Sequence, residues 1–242
     1  MMAGHSKWAN IKHAKARQDA KRGKIFTKLI REITIASRLG GADPTSNPRL
    51  RTAVDKALSH NMPKDTVQRA IKRGAGDEDT SQWVETRYEG YGPGGVAVLV
   101  ECLTDNKNRT VAEVRYAFSK CSGHLGTDGA VAYLFKKIGL ITCAPGAREE
   151  KIMELALASN AEDVAVQEDG SIDITTTPET LEAVCQAMKT NNLDYAQAEV
   201  TMLATTEISL NQEQAEQMTR LIDLLEDLDD VQNVYSNARY PN

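Results

Sequence analysis

Aromatic side chains are scarce in this chain, at 5% of residues, so aliphatic residues must supply most of any core. Long apolar runs are absent: a candidate such as Val96–Val100 has the length of a strand, whereas a membrane-spanning helix needs roughly 20 apolar residues. A soluble protein with no membrane partner is expected. Cysteine is limited to Cys102, Cys121, Cys143 and Cys185, spaced far apart among apolar neighbours. That pattern argues against a disulfide frame and a zinc site, and for reduced, buried thiols in a cytoplasmic protein. His5, His13, His60 and His124 are scattered, with no H-E-x-x-H pair to hold a metal. No G-K-[ST] phosphate loop and no G-x-S-x-G nucleophile elbow occurs. No catalytic constellation emerges, so neither an enzyme nor a cofactor is expected.

What is present is a strong charge polarity. Of 29 lysines and arginines, 17 fall in residues 1–75 beside only 5 of the 34 acids, a local net of +12 that leaves −17 for the rest of a chain whose overall net is −5. A concentrated basic region attracts polyanions, while an acidic body repels them and limits indiscriminate coating. The pattern describes a nucleic-acid-binding head on an acidic body.

The head divides further. From Met1 to Gly23 almost no apolar residues occur apart from Trp8 and Ile11, so nothing there can bury a helix face, and a mobile basic arm is expected. The basic, acid-poor start resembles an organelle transit peptide, but Pro, Ser and Gly punctuation is sparse. An anionic membrane surface is disfavoured as its target, since one Trp and one Ile supply little apolar area. His5, Trp8 and His13 interleave the cations with surfaces that can stack on bases or ribose. The candidate nucleic-acid-binding residues are therefore His5, Ser6, Lys7, Trp8, Lys12, His13, Lys15, Arg17, Lys21, Arg22, Lys24 and Lys28, extended by Arg69, Lys72 and Arg73.

Three helical stripes follow the arm. Ile25, Phe26, Leu29, Ile30, Ile33 and Ala36 form the first, stopped by Gly40-Gly41, Pro44 and Pro48. Leu50, Val54, Ala57 and Leu58 form the second. Pro63, suited to a first helical turn, opens a third with Val67, Ala70 and Ile71 inward and Lys72, Arg73 and Gly74 at its end.

Beyond the polar linker 76–82 the pattern becomes mixed. Val84–Tyr88 and Val96–Leu103 read as strands, and Thr110–Cys121 as a helix with Thr110 and Glu113 at capping-box spacing. Ile138–Cys143, Glu149–Ala158, Val164–Val166, an Asp169-Gly170 hairpin signal, Ile172–Thr176, a helix capped by Thr177 with Pro178 at its first position, and a strand near Gln197–Leu203 spell βαββαβ. That order is the ferredoxin-like plan. Asn211 then caps a helix carrying Ala215, Met218, Leu221, Ile222, Leu225 and Leu228, followed by a strand at Val231–Tyr235. The expected class is α+β: an N-terminal three-helix bundle and two α/β domains, the ferredoxin-like one inserted in the other. The expected boundaries are 1–80, 81–133 plus 207–242, and 134–206.

Three further motifs need weighing. Gly90, Gly92 and Gly95 match G-x-G-x-x-G, but Pro93 interrupts and a strand, not a helix, follows, so a glycine turn between strands is expected. Glu226, Asp227, Asp229 and Asp230 would suit magnesium in a nuclease, yet they follow a helix's solvent side and its end, as a solvated acidic face does. The loop Thr104–Thr110 gathers amides, a carboxylate and cations at a helix N-terminus. It reads either as helix capping with a loop hydrogen-bond network or as a secondary nucleic-acid or partner contact through Asp105, Asn106, Asn108 and Arg109.

The segments Ala3-Gly4-His5-Ser6-Lys7-Trp8-Ala9-Asn10-Ile11-Lys12-His13, Glu89-Gly90-Tyr91-Gly92-Pro93-Gly94-Gly95 and Thr104-Asp105-Asn106-Lys107-Asn108-Arg109-Thr110 together resemble the YebC family over essentially the whole chain, with the family's start aligning at Met2. The resemblance implies a three-domain cytoplasmic protein with a helical N-terminal domain and two α/β domains, one inserted in the other. It also implies regulation of gene expression. Members have been described as DNA-binding transcriptional regulators, a mitochondrial branch activates translation, and bacterial members help ribosomes through proline-rich stretches. The expected partner is accordingly DNA, or rRNA or tRNA on the ribosome, bound by a monomer.

Overall fold

The computed structural model describes residues 22–76 and 83–241. The described chain divides into two compact units, one running to Val131 and rejoined by Glu216–Ser236, the other formed by Ala132–Ala215 with the residues from Asn237 onward.

The first unit begins with three helices, α1 (Arg22–Gly40), α2 (Pro48–Ser59) and α3 (Lys64–Ala75). Their core gathers Leu29, Ile33, Ala36, Leu50, Ala53, Ala57, Val67, Ala70 and Ile71. Burying a side chain such as Ile33 or Leu50 contributes about 2 kcal/mol. Buried Asn47 ends one helix and starts the next: its amide donates to the Ala36 and Gly41 carbonyls at 2.7 and 2.8 Å, while its oxygen accepts from the Leu50 amide at 3.1 Å. Gly41, at φ +90°, supplies the left-handed residue that closes α1. Leu58, expected on the inward stripe, is 38% exposed, and Ala53 takes the inward place, because positions 50, 53 and 57 align along one helix face. Pro63 is the residue just before α3. The expected arm, Met1–Gly23, lies outside the described residues except at its end, where α1 already takes in Arg22 and Gly23.

Four antiparallel strands complete this unit: β1 (Val84–Tyr91), β2 (Ala97–Thr104), β3 (His124–Leu125) and β9 (Val231–Ser236), in the order β3-β1-β2-β9. Central β2 is buried almost throughout, the reason its sequence reads as a continuous apolar run. Helices α4 (Lys107–Lys120) and α7 (Gln212–Glu226) accompany the sheet. The glycine motif is the β1–β2 turn, as expected, with Gly94 and Gly95 at φ 71° and 78°. A side chain at Gly90 would meet the Phe118 ring at 2.8 Å, and one at Gly92 the Met218 sulfur at 2.9 Å, so these glycines let α4 and α7 approach the sheet. The Thr110–Glu113 capping box does not form. α4 starts one turn earlier, with Asn106 accepting from the Arg109 amide at 3.0 Å, and Thr110 is fully buried.

In the second unit β4 (Phe135–Cys143), α5 (Glu149–Ala158), β5 (Asp163–Val166), β6 (Ile172–Thr176), α6 (Leu181–Thr190) and β7 (Gln197–Ala204) form a sheet of order β5-β6-β4-β7, antiparallel throughout. This is the ferredoxin-like arrangement. α6 starts later than its Thr177-Pro178 signal, because residues 177–180 form a separate turn in which the Thr177 hydroxyl accepts from the Thr180 amide at 3.3 Å. Asn211 and Gln214 cap α7 reciprocally, at 2.9 and 3.1 Å. Short strands β8 (Ile208–Ser209) and β10 (Ala238–Arg239) pair in parallel.

All four cysteines are free thiols. Burial pushes Cys102 up to about 12 and Cys143 up to about 11, which makes both poor nucleophiles. No helix among the described residues is long and apolar enough to cross a membrane.

Candidate nucleic-acid interface

His5, Ser6, Lys7, Trp8, Lys12, His13, Lys15, Arg17 and Lys21 lie outside the described residues, and Arg22 stands in the first turn of α1. On α3, exposed Arg69, Lys72 and Arg73 project at i, i+3 and i+4, along one side of the helix. Arg69 is oriented within its own helix by the Asp65 carbonyl at 3.3 Å and the Thr66 hydroxyl at 3.2 Å. Arg73 also helps to line a small crevice with Ile30, Arg31, Thr34, Ile35 and Trp83. The bundle therefore carries cations at the C-terminal end of α3, where they also complement the helix dipole.

Lys24, with its side chain 47% exposed, and half-buried Lys28 both reach the C-terminal end of α7. Lys24 Nζ donates to the Asp227 carbonyl at 3.1 Å, Lys28 Nζ to that of Glu226 at 2.6 Å, and Arg31 Nη1 to that of Asp229 at 2.6 Å. Spaced at i, i+4 and i+7, these three side chains form one stripe of α1 that satisfies the last carbonyls of α7 and the turn after it. Burial lowers the Lys28 pKa, more than the nearby carboxylates Glu226, Asp229 and Asp227 restore it. Lys28→Ala is expected to cost about 1 kcal/mol of stability, read by thermal melting.

The Thr104–Thr110 loop forms a helix cap and a local hydrogen-bond network. Its centre is Asp230, 2% exposed, and so not part of the solvated acidic face expected for it. Arg31 Nη1 donates to Asp230 Oδ1 at 3.0 Å, and Oδ2 accepts from Arg109 Nε at 3.1 Å, Arg109 Nη2 at 2.6 Å, Thr104 Oγ1 at 3.1 Å and Thr110 Oγ1 at 2.9 Å. Arg109 also holds Asp105 at 2.8 Å, and the guanidinium carbon of Arg31 lies 4.7 Å from the Trp83 ring centroid. Burial alone would raise the Asp230 pKa, but the hydrogen bonds from Arg109, Thr110 and Thr104 and the charge of Arg109 outweigh it and hold the carboxyl below its ordinary value. Asp105, Asn106 and Arg109 take part in this network while staying exposed, as does Asn108 at the start of α4. Sequence reasoning missed Arg31 and Asp230. The even spacing of Lys24, Lys28 and Arg31 was a usable signal for the first; nothing local marks the second.

A second buried carboxylate, Glu89, accepts from the Gly129 amide at 2.9 Å and the Val131 amide at 2.7 Å, and so ties residues 126–131 to β1. Among the described residues, no group of three or more His, Cys, Asp or Glu side chains is placed to hold a metal ion.

Comparison with known proteins matches residues 6–77 to the family model described as TACO1/YebC protein N-terminal domain, and residues 83–238 to that described as TACO1/YebC second and third domain. A Coxiella burnetii protein named "Probable transcriptional regulatory protein" is 70% identical over 99% of this chain and 98% of its own length. A Methylococcus capsulatus protein of the same designation is 64% identical over 98% and 96%. A crystal structure of a conserved hypothetical protein from Aquifex aeolicus superposes with a TM-score of 0.86 at 45% identity, covering 98% of both chains.

Proposed function

The chain belongs to the TACO1/YebC family, and from that membership together with its charge distribution we propose that it is a non-enzymatic regulator of gene expression that binds nucleic acid through its basic N-terminal end. The observation that carries this reading is the +12 net charge of residues 1–75 in a chain whose overall net is −5. Lys7, Lys12, Lys15, Arg17, Lys21 and Arg22 neutralise phosphates in this reading, with Trp8 and His13 as stacking or hydrogen-bonding contacts. Arg69, Lys72 and Arg73 extend the surface along α3. The relatives' names favour a transcriptional role, and a cytoplasmic location is part of the same proposal.

One structural observation favours a second reading, a translation factor that contacts rRNA or tRNA on the ribosome. A DNA recognition helix reads bases with its N-terminal residues. In α3 the cations Arg69, Lys72 and Arg73 lie toward the other end, and the first turn carries Asp65 beside Lys64. That placement suits phosphate contact without base readout, as on structured RNA.

Reversing charge at Lys12, Lys15 and Arg17 is expected to weaken binding to DNA and rRNA fragments and to flatten the dependence of log affinity on log salt by about three or more. Fluorescence anisotropy across a salt series measures both, and an unchanged affinity and slope would overturn the assignment. Crosslinking in living cells followed by sequencing separates the two readings: promoter fragments support transcription, whereas rRNA or tRNA supports translation.

A further inference from the structure

Downstream of residue 75 the chain is acidic, yet one helix there is not. α4 carries Lys107, Arg109, Arg115 and Lys120 against the single acid Glu113. Arg109 is taken up by Asp230 and Asp105, but Lys107, Arg115 and Lys120 are exposed, as are Asn108, Ala112 and Ser119. Amid these sits Tyr116, 61% exposed, in a chain where aromatics are only 5% of residues. Lys120 Nζ lies 5.4 Å from the Tyr116 ring centroid and 3.2 Å from its hydroxyl, which fixes the ring in a cationic setting. Exposed Arg220 of α7 acts with Lys120 on the Cys121 thiol, which places a further cation at the same end of α4.

An exposed aromatic ring among cations matches single-stranded nucleic acid: the cations follow the phosphates, and the ring offers a face to an unpaired base. A basic protein partner is disfavoured by charge. We propose that the outer face of α4 is a second nucleic-acid contact, on which an unpaired base stacks against Tyr116 while Arg115 and Lys120 neutralise the flanking phosphates. The proposal rests on the nucleic-acid reading above and adds a site in the part of the chain that otherwise repels polyanions. It also gives that part a selective role, because a fully paired duplex presents no free base to Tyr116.

The test uses the full-length protein with two labelled RNAs of equal length, a hairpin with an unpaired loop and a fully paired duplex, and with their DNA counterparts. The Arg115→Glu/Lys120→Glu variant is expected to bind the hairpin at least tenfold more weakly and to flatten its salt slope by about two. Tyr116→Ala is expected to lose about tenfold on the hairpin while duplex binding stays within twofold, and Tyr116→Phe, which keeps the ring, to bind as the wild type does. Thermal melting checks that each variant is folded, and photocrosslinking of a bromouridine-loop hairpin to the wild-type α4 peptide reads the contact without mutation. Wild-type binding by all α4 variants and no α4 crosslink, with binding lost only in the Lys12, Lys15 and Arg17 variant, overturns this site and leaves the nucleic-acid reading standing. Absence of binding to every probe by the wild type removes both.

Discussion

Asp230→Ala is expected to destabilise the first unit by about 3 kcal/mol, measured by urea unfolding at neutral pH. The side chain is 2% exposed and accepts from two arginines and two threonines that lie 120 to 199 residues away from it in sequence. Removing it takes the carboxylate acceptor from the buried Thr104 hydroxyl and the shared counter-ion from Arg31 and Arg109, while the Thr110 hydroxyl keeps the Asn106 carbonyl at 3.0 Å. The cost falls at the lower end of the range for broken buried ion pairs, because the Arg109 side chain is 42% exposed and water recovers part of its loss. Asp230→Asn, which keeps the shape and one good acceptor, is expected to lose less. The pH dependence has a definite sign. The folded-state pKa of Asp230 is depressed, so its contribution is complete above the unfolded value near 3.9 and is lost as pH falls through the lower folded value. Unfolding measured between neutral pH and pH 3 should therefore show a steeper acid loss in the wild type than in Asp230→Asn, and equal slopes would remove the carboxylate from this role.

Gly74→Val is expected to cost about 3 kcal/mol by overpacking the contact of α1 with α3. A side chain there would run into the Thr34 carbonyl oxygen and approach Ser37 Cβ to 2.8 Å. The helices touch closely enough for the Ser37 hydroxyl to donate to the Ile71 carbonyl at 2.9 Å, and backbone atoms cannot give way as a flexible side chain does. Thermal melting followed by circular dichroism checks this, with a midpoint equal to that of the wild type as the refuting result. The same substitution separates scaffold from surface, since Lys72 and Arg73 remain in the chain but lose their common support.

Most of the fold was legible locally. The apolar stripe from Ile25 to Ala36 and the Gly40-Gly41 stop defined α1 because helix periodicity and the left-handed preference of glycine act over a few residues. Glu149–Ala158 and Ile172–Thr176 have the bounds their sequence announces, since each is an uninterrupted apolar pattern between turn residues. Errors gathered where several local signals compete. Thr110 reads as a cap because a threonine three residues before Glu113 has that spacing, but Asn106 takes the cap and Asp230 takes the threonine. Thr177-Pro178 reads as a helix start and is instead a turn before α6.

The sequence by itself determined the charge polarity, the helical and strand periods, the βαββαβ order and the family, because composition and spacing are properties of the chain in one dimension. The tertiary structure alone decided which charges find partners within the unit. Lys24, Lys28 and Arg31 look like the rest of the basic stretch until α7 brings its C-terminal carbonyls to them across some two hundred residues. Asp230 looks like its exposed acidic neighbours until Arg31, Thr104, Arg109 and Thr110 converge on it. An ion pair depends on a distance of a few ångströms in space, and sequence separation carries no information about that distance.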